Sequence, residues 1–239
     1  MSGKVTSLLV MFITLGGSII AQTQSYEAEF SVGYSSTSAT DLKKLQAEVI
    51  SSQNFEYKVT DNFPATPYLN LAIFKNLEDG NRVGLFWRYL STGGRLTVSD
   101  YSGTLTSDQI LTNHEIGADL NIYLKEFPQK LVRPFVELQI SALLSRLEMK
   151  DKAVIINSGE QSESLSLVAQ NVAITPSLGF EVIIKNHPIR FKAGYLIEVT
   201  QFPFHLKENR DAKLRISNDN TVGPGLTGLR IGVGSAIGF

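Results

Sequence analysis

The chain has 239 residues, is 43% hydrophobic, carries a formal net charge of -1 and contains no cysteine. That length suits one sizeable domain. The near-zero charge lacks the Lys and Arg surplus that phosphate neutralisation needs, which argues against nucleic-acid binding, and the missing Cys excludes disulfide frameworks, thiolate metal sites and thiol nucleophiles.

The N-terminus reads as a targeting segment. Met1 to Lys4 form a short basic start, Leu8 to Ile20 an apolar core, and Ile20-Ala21-Gln22 offers a small residue before a polar one. This predicts a secretory signal peptide over residues 1-21, cut after Ala21, and leaves 22-239 as the mature domain. A membrane anchor would need about 18 or more continuous apolar residues. The run is shorter than that.

From Tyr26 onward the chain alternates with period two, which puts successive side chains on opposite faces of strands. Tyr26, Ala28, Phe30, Val32 and Tyr34 share one face of a first strand, with Glu27, Glu29, Ser31 and Gly33 behind. A single helical pattern follows over residues 41-51, where Leu42, Leu45 and Val49 keep helical spacing after a Thr40-Asp41 cap. It reads either as a plug or lid on a barrel or, preferably, as a surface helix packed on its own loop.

Leu69, Leu71 and Ile73 begin a second strand, and Val83, Leu85, Trp87 and Tyr89 a third that backs onto Gly84, Phe86, Arg88 and Leu90. Glu78-Asp79-Gly80 between them is a three-residue hairpin loop with Gly at the left-handed position. If Leu77 faces Asn81, Leu71 meets Trp87 and Ile73 meets Leu85. A fourth strand turns Ile116, Ala118, Leu120 and Ile122 one way and Glu115, Asp119 and Tyr123 the other; a fifth does so with Val136, Leu138 and Ile140 against Glu137 and Gln139.

The sixth strand presents Ile174 to Ile184 on its apolar face, with Pro176 a blemish because it cannot donate to a ladder. In the seventh, Ile189 to Val199 alternate with Arg190, Lys192 and Glu198; a tight Asn186-His187 turn would set Glu181 opposite Lys192. The last strand sends Leu229, Ile231, Val233, Ile237 and Phe239 to one face and Arg230 with several glycines to the other. Connections near 75 to 81, 125 to 132 and 185 to 188 are short, whereas 37 to 66, 92 to 109, 148 to 170 and 201 to 223 read as long loops. An all-β, closed, up-and-down antiparallel barrel of eight strands fits these lengths. Ten strands stay open as an alternative, because Phe55 to Val59 and Leu165 to Val168 are extended pieces.

Alternation alone does not distinguish a soluble barrel, greasy inside, from a membrane barrel, greasy outside. Three features favour the membrane. The non-apolar face mixes glycine with charges of both signs, as a crowded lumen requires. The apolar face runs through about 9 to 11 residues per strand, enough for a tilted strand to cross the hydrocarbon core. Short turns also gather at one end and long connections at the other.

On these residues the chain resembles the small outer-membrane β-barrels of Gram-negative bacteria, OmpA-like and OmpX-like. Its terminal strand, Leu229 to Phe239, looks like that family's C-terminal assembly signal, so the resemblance implies that Phe239 is read by the outer-membrane insertion machinery. It also implies residence in the cell outer membrane among lipid and lipopolysaccharide.

Arg88, Glu115, Asp119, Glu137, Glu181, Arg190, Lys192, Glu198 and Arg230 are expected to form an interior charge network, since an unpaired ion in a water-poor lumen is costly. His114, His187 and His205 are too scattered for a metal site, and Glu115 points to the opposite face from His114. No catalytic residue, metal or cofactor is expected. The leading expectation is a non-enzymatic barrel acting structurally or on surface and protein partners through its external loops. The alternatives are a narrow transport or ligand-binding barrel and a membrane-embedded hydrolase.

Overall fold

The structure, a computed structural model, describes residues 25–52, 58–101, 103–124, 132–155, 159–184, 187–216 and 219–239. The expected signal peptide lies outside the described residues, as does most of the connection through Pro128. The elements in chain order are β1 (Tyr26–Ser35), α1 (Thr40–Ser52), β2 (Lys58–Asn62), β3 (Thr66–Asn76), β4 (Arg82–Asp100), β5 (Gly103–Tyr123), β6 (Val132–Ile155), β7 (Gly159–Ile184), β8 (His187–Glu198), β9 (His205–Leu206) and β10 (Gly228–Gly238).

Eight of these strands close a ring in the order β1-β3-β4-β5-β6-β7-β8-β10, and β10 returns to β1 with Val32 opposite Val233. Every pairing is antiparallel, so the barrel is an up-and-down meander without a free edge at the height of the ring. Among the described residues β2 pairs with the far end of β4, and β9 with Leu167 and Val168 of β7, while His205 also bridges Lys213. The alternative of ten strands in the ring is therefore replaced by eight.

Facing follows the alternation. Phe30, Leu85, Ile116, Ile140, Leu178 and Ile231 are exposed on the outside, whereas Glu29, Arg88, Glu115, Glu137, Glu181 and Arg230 are buried inside. The outward face is apolar from Val136 to Leu144 on β6 and turns polar at Arg146. Rings gather at both borders of this belt. Tyr26 stacks on Phe239 at 6.2 Å and Phe180 on Phe191 at 5.0 Å towards the short-turn end, while Trp87 and Tyr89 hold His114 between them, at 5.9 and 5.2 Å, towards the other. Such girdled apolar bands belong to barrels that cross a membrane.

The β3–β4 hairpin has the expected register, Leu71 to Trp87 and Ile73 to Leu85, with Leu77 N–H donating to Asn81 at 2.8 Å and Gly80 at φ 81°. Three expectations need correction. Residues 92 to 109 and 148 to 170 are not loops: β4 with β5 and β6 with β7 continue as unbroken hairpins to Asp100–Gly103 and Ile155–Gly159. Alternation persists there in Leu96, Leu105 and Leu167, diluted by Ser and by Thr, and Thr is itself a good strand former. The β7–β8 turn lies one residue earlier than expected, so that Ile184 meets His187 and Glu181 meets Arg190 instead of Lys192. The shift moves the pairing by two positions, keeps every side chain on its face, and seats a guanidinium directly on the Glu181 carboxylate at 2.7 Å.

Pro176 is accommodated by a gap. The β7–β8 ladder stops after Ile174–Ile197 and resumes at Ser177–Gly194, so the residue that cannot donate falls in the interruption. Leu178, beside that gap, is 68% exposed in the middle of the outer belt. Replacing it with Arg should cost roughly 2 to 4 kcal/mol near the bilayer midplane. Equilibrium unfolding from lipid vesicles measures this, and unchanged stability would mean that the face does not meet lipid.

Candidate functional site

The lumen is built in two layers. In the layer towards the short turns, inward positions carry ions. Arg190 reaches Glu181 at 2.7 Å, Glu29 at 2.8 Å and Glu27 at 2.9 Å, and Arg82 adds bonds to Glu27 at 2.9 Å and Asn121 at 3.1 Å. Tyr123 donates its hydroxyl to Glu181 at 2.9 Å. Lys192 bridges Glu137 at 2.9 Å and Glu29 at 3.7 Å.

Higher up, Glu115 receives two guanidinium groups on one oxygen, Arg88 at 3.1 Å and Arg230 at 2.7 Å, while Ser141 donates to its other oxygen at 2.8 Å. Asp119 is held by amides instead of a cation: Asn121 donates at 2.6 Å and Gln139 at 2.7 Å. Gln139 in turn accepts from Arg88 at 2.8 Å and links the two groups. Rings complete the cage, with the Arg82 guanidinium 4.2 Å over Phe74 and that of Arg88 5.0 Å over Phe86.

Of the interior charges named from the sequence, Arg88, Glu115, Asp119, Glu137, Glu181, Arg190, Lys192 and Arg230 come together in this layer. Glu198 does not. It sits near the mouth, where it accepts a hydrogen bond from the Leu226 N–H at 3.0 Å. Arg82 was missed, although it has the same parity as Gly84, Phe86 and Arg88, and extending the alternation one residue before Val83 would have found it. Two glycines make room for the ring that roofs the layer. A Cβ on Gly33 would lie 2.6 Å from Tyr68, and one on Gly232 would lie 2.2 Å from its hydroxyl.

Above the ions the inward positions turn apolar. Leu90, Leu111, Leu143, Leu147, Leu167 and Leu196 are all buried and form one cluster with Ala39 and Leu42 of the α1 region and with Phe204, Val222 and Leu226 of the loop before β10. The helix is thus a lid seated on the mouth of the barrel, and the preferred expectation of a surface helix on its own loop is corrected. Leu42, wholly buried, belongs to the same apolar cluster as the inward wall residues Leu90, Leu111, Leu143 and Leu196. The N-terminal end of the helix is tied down by Ala39 N–H to the Gly225 carbonyl at 2.8 Å. Below the lid, the cavity bordered by Tyr68, Arg88, Lys192 and Arg230 measures about 10 Å³, space for about one water.

The larger hollow is outside. Beyond the belt, β4, β5, β6 and β7 rise as a sheet with a cleft of about 570 Å³ on its outer face, lined by Arg95, Thr104, Thr106, Lys150, Lys152 and Ser162 among others. Arg95 is clamped to Asp108 by two bonds, at 2.5 and 2.9 Å. His114 lies on the outer belt with Glu115 behind it in the lumen, so the two do not form an acid–base pair.

No protein-family model matches the chain, and no curated protein matches it. Solved structures similar in outline include two of one protein. Ail, the attachment invasion locus protein of Yersinia pestis, in complex with the heparin analogue sucrose octasulfate, is 15% identical over 89% of this chain and 99% of its own, with a TM-score of 0.36. A second structure of Ail is 13% identical over 88% and 98%, with a TM-score of 0.30. Likenesses this loose decide nothing about the site, and the ring described above defines the fold on its own.

The shared carboxylate gives a direct check. Glu115→Gln leaves Arg88 and Arg230 side by side without a counter-ion, and removing one member of a buried pair typically costs about 3 to 5 kcal/mol. Urea unfolding from vesicles should register that loss. Adding Arg230→Met to the same chain should recover part of it.

Proposed function

We propose that this chain is an outer-membrane barrel that neither catalyses nor conducts, and that its working surface is the sheet that rises beyond the membrane. The observation that carries this reading is the distribution of space. The lumen carries a layer of ion pairs and an apolar lid, and the pocket beside Tyr68, Arg88, Lys192 and Arg230 measures about 10 Å³, whereas the outer cleft on the protruding strands measures about 570 Å³.

The outer-membrane setting is supported by the kind of wall. A closed antiparallel ring satisfies its own backbone within hydrocarbon, and its outer belt of Leu, Ile and Val is suited to the acyl chains of lipid and lipopolysaccharide. In this reading the terminal strand, with Phe239 stacked on Tyr26 at the short-turn border, is what the insertion machinery engages. The unbroken hairpins β4–β5 and β6–β7 then carry their outer ends clear of the membrane, where proteins or other surfaces reach them. The work is adhesion or recognition, with the barrel as its anchor.

Planar-bilayer recording on the purified chain tests the sealed lumen. A flat baseline under applied potential is expected. Discrete openings would overturn the reading, because neither the ion-paired layer nor the leucine-seated lid leaves a path for hydrated ions.

A further inference from the structure

The pocket of about 10 Å³ in the lumen has three cations on its border, Arg88, Lys192 and Arg230, and one carboxylate, Glu137. Glu137 is already engaged, since Lys192 holds it at 2.9 Å. The two guanidinium groups that remain share a single anion: Arg88 at 3.1 Å and Arg230 at 2.7 Å meet the same oxygen of Glu115. Asp119 gives Arg88 no direct hydrogen bond, because Gln139 stands between them, donating to Asp119 at 2.7 Å and accepting from Arg88 at 2.8 Å. The pair of arginines therefore carries one positive charge more than its direct partner neutralises.

The hydrogen bonds agree with the charges. Arg230 donates to Glu115 through Nη1, whereas its Nε and Nη2 reach no acceptor among the described residues. Nε of Arg88 and the hydroxyl of Thr175, which also borders the pocket, reach none either. All of them are out of water: Arg88 and Thr175 are 2% exposed and Arg230 is 4% exposed. Buried donors left unmatched are costly, more so on a charged group. A guanidinium only donates. A water molecule placed among these groups accepts from some of them but brings protons that need acceptors in turn. An anion brings lone pairs alone, together with the charge that the arginines lack.

We propose that the lumen binds one small monovalent anion of the halide class between Arg88, Thr175 and Arg230. Size limits the choice, because a pocket of about 10 Å³ takes a particle close to one water molecule. Chloride is near that size, and sulfate or an organic acid is far above it. Charge limits it too, since the surplus on the two arginines is a single unit. With the lid above and the ion pairs of Lys192 and Arg190 below, the ion is enclosed by the wall and acts as a structural counter-ion, not as cargo in transit.

The test unfolds the purified chain from lipid vesicles with urea at constant ionic strength, exchanging sodium chloride for sodium gluconate. An ion that binds only the folded barrel lowers the unfolding equilibrium constant about tenfold for each tenfold rise in chloride above half-saturation. Arg230→Met leaves the Arg88–Glu115 pair in place and should abolish this dependence. Thr175→Val removes only the hydroxyl, so heat-modifiable gel migration should stay normal while half-saturation moves to about tenfold higher chloride. Long-wavelength diffraction from crystals grown in chloride should show an anomalous peak between Arg88, Thr175 and Arg230.

Equal stability in chloride and gluconate would overturn the proposal, as would a chloride dependence that Arg230→Met leaves unchanged. A pocket without an anomalous peak would do the same and assign the space to water. Each of these results leaves the sealed lumen standing, because water occupies that space without opening a path. Channel openings in a planar bilayer would instead count against the sealed lumen whatever chloride does to stability.

Discussion

An ion on the wall of a membrane barrel has only one place to go, and that constraint organises the whole chain. In hydrocarbon a charge without a partner is prohibitively costly, so each strand must turn its charges to the lumen and keep the other parity greasy. The lumen is then too poor in water to leave those charges alone. They find one another across the barrel: Arg190 of β8 reaches Glu27 and Glu29 of β1, and Arg230 of β10 meets Glu115 of β5. Facing, closure and interior chemistry therefore depend on the same physical requirement.

The order of layers along the axis follows from it. Towards the short turns the charges are locked by multiple partners and by rings such as Phe74. Towards the mouth, leucines replace them on the same parity, so the helix that arrives there finds an apolar seat and not a charged one. The lid and the ionic layer are consecutive parts of the same inward faces. Beyond the mouth the strands continue, with Ser, Thr, Lys and Glu spread over both faces among scattered apolar residues such as Leu96, Leu105 and Val154.

Much of this was legible from the residues. Period two identified all the strands of the ring, the β3–β4 turn fixed its own register through Glu78-Asp79-Gly80, and the division into greasy and charged parity was readable from Tyr26 onward. What escaped had specific causes. Residues 92 to 109 read as loop because Ser, Thr and Gly suit both loops and water-exposed strands, and only pairing with a neighbour separates the two. The β7–β8 register was missed because a turn shifted by one residue leaves the alternation unchanged, so only the contact between Glu181 and Arg190 distinguishes the registers. The lid was misjudged although Leu90, Leu143 and Leu196 were visible on the charged parity. Their meaning depended on knowing that they share one height of the barrel.

The closure of β1 on β10 has a consequence for how the chain reaches its native state. Other neighbours in the ring follow one another along the chain, apart from intervening α1, β2 and β9, so their ladders can zip up by local hairpin growth. The terminal strands, by contrast, must find each other across nearly the full length of the polypeptide, with Glu27 meeting Gly238. Loop-closure entropy makes such a junction the late and slow event of assembly. Until it forms, β1 and β10 present raw hydrogen-bonding edges to the bilayer, and Arg190 and Arg230 lack carboxylates from across the axis. The contacts that cross the axis, Arg190 to Glu27 and Glu29 and Arg230 to Glu115, thus act as a latch that engages with the seam, whereas Arg190–Glu181 and Arg88–Glu115 join neighbouring strands and do not wait for it.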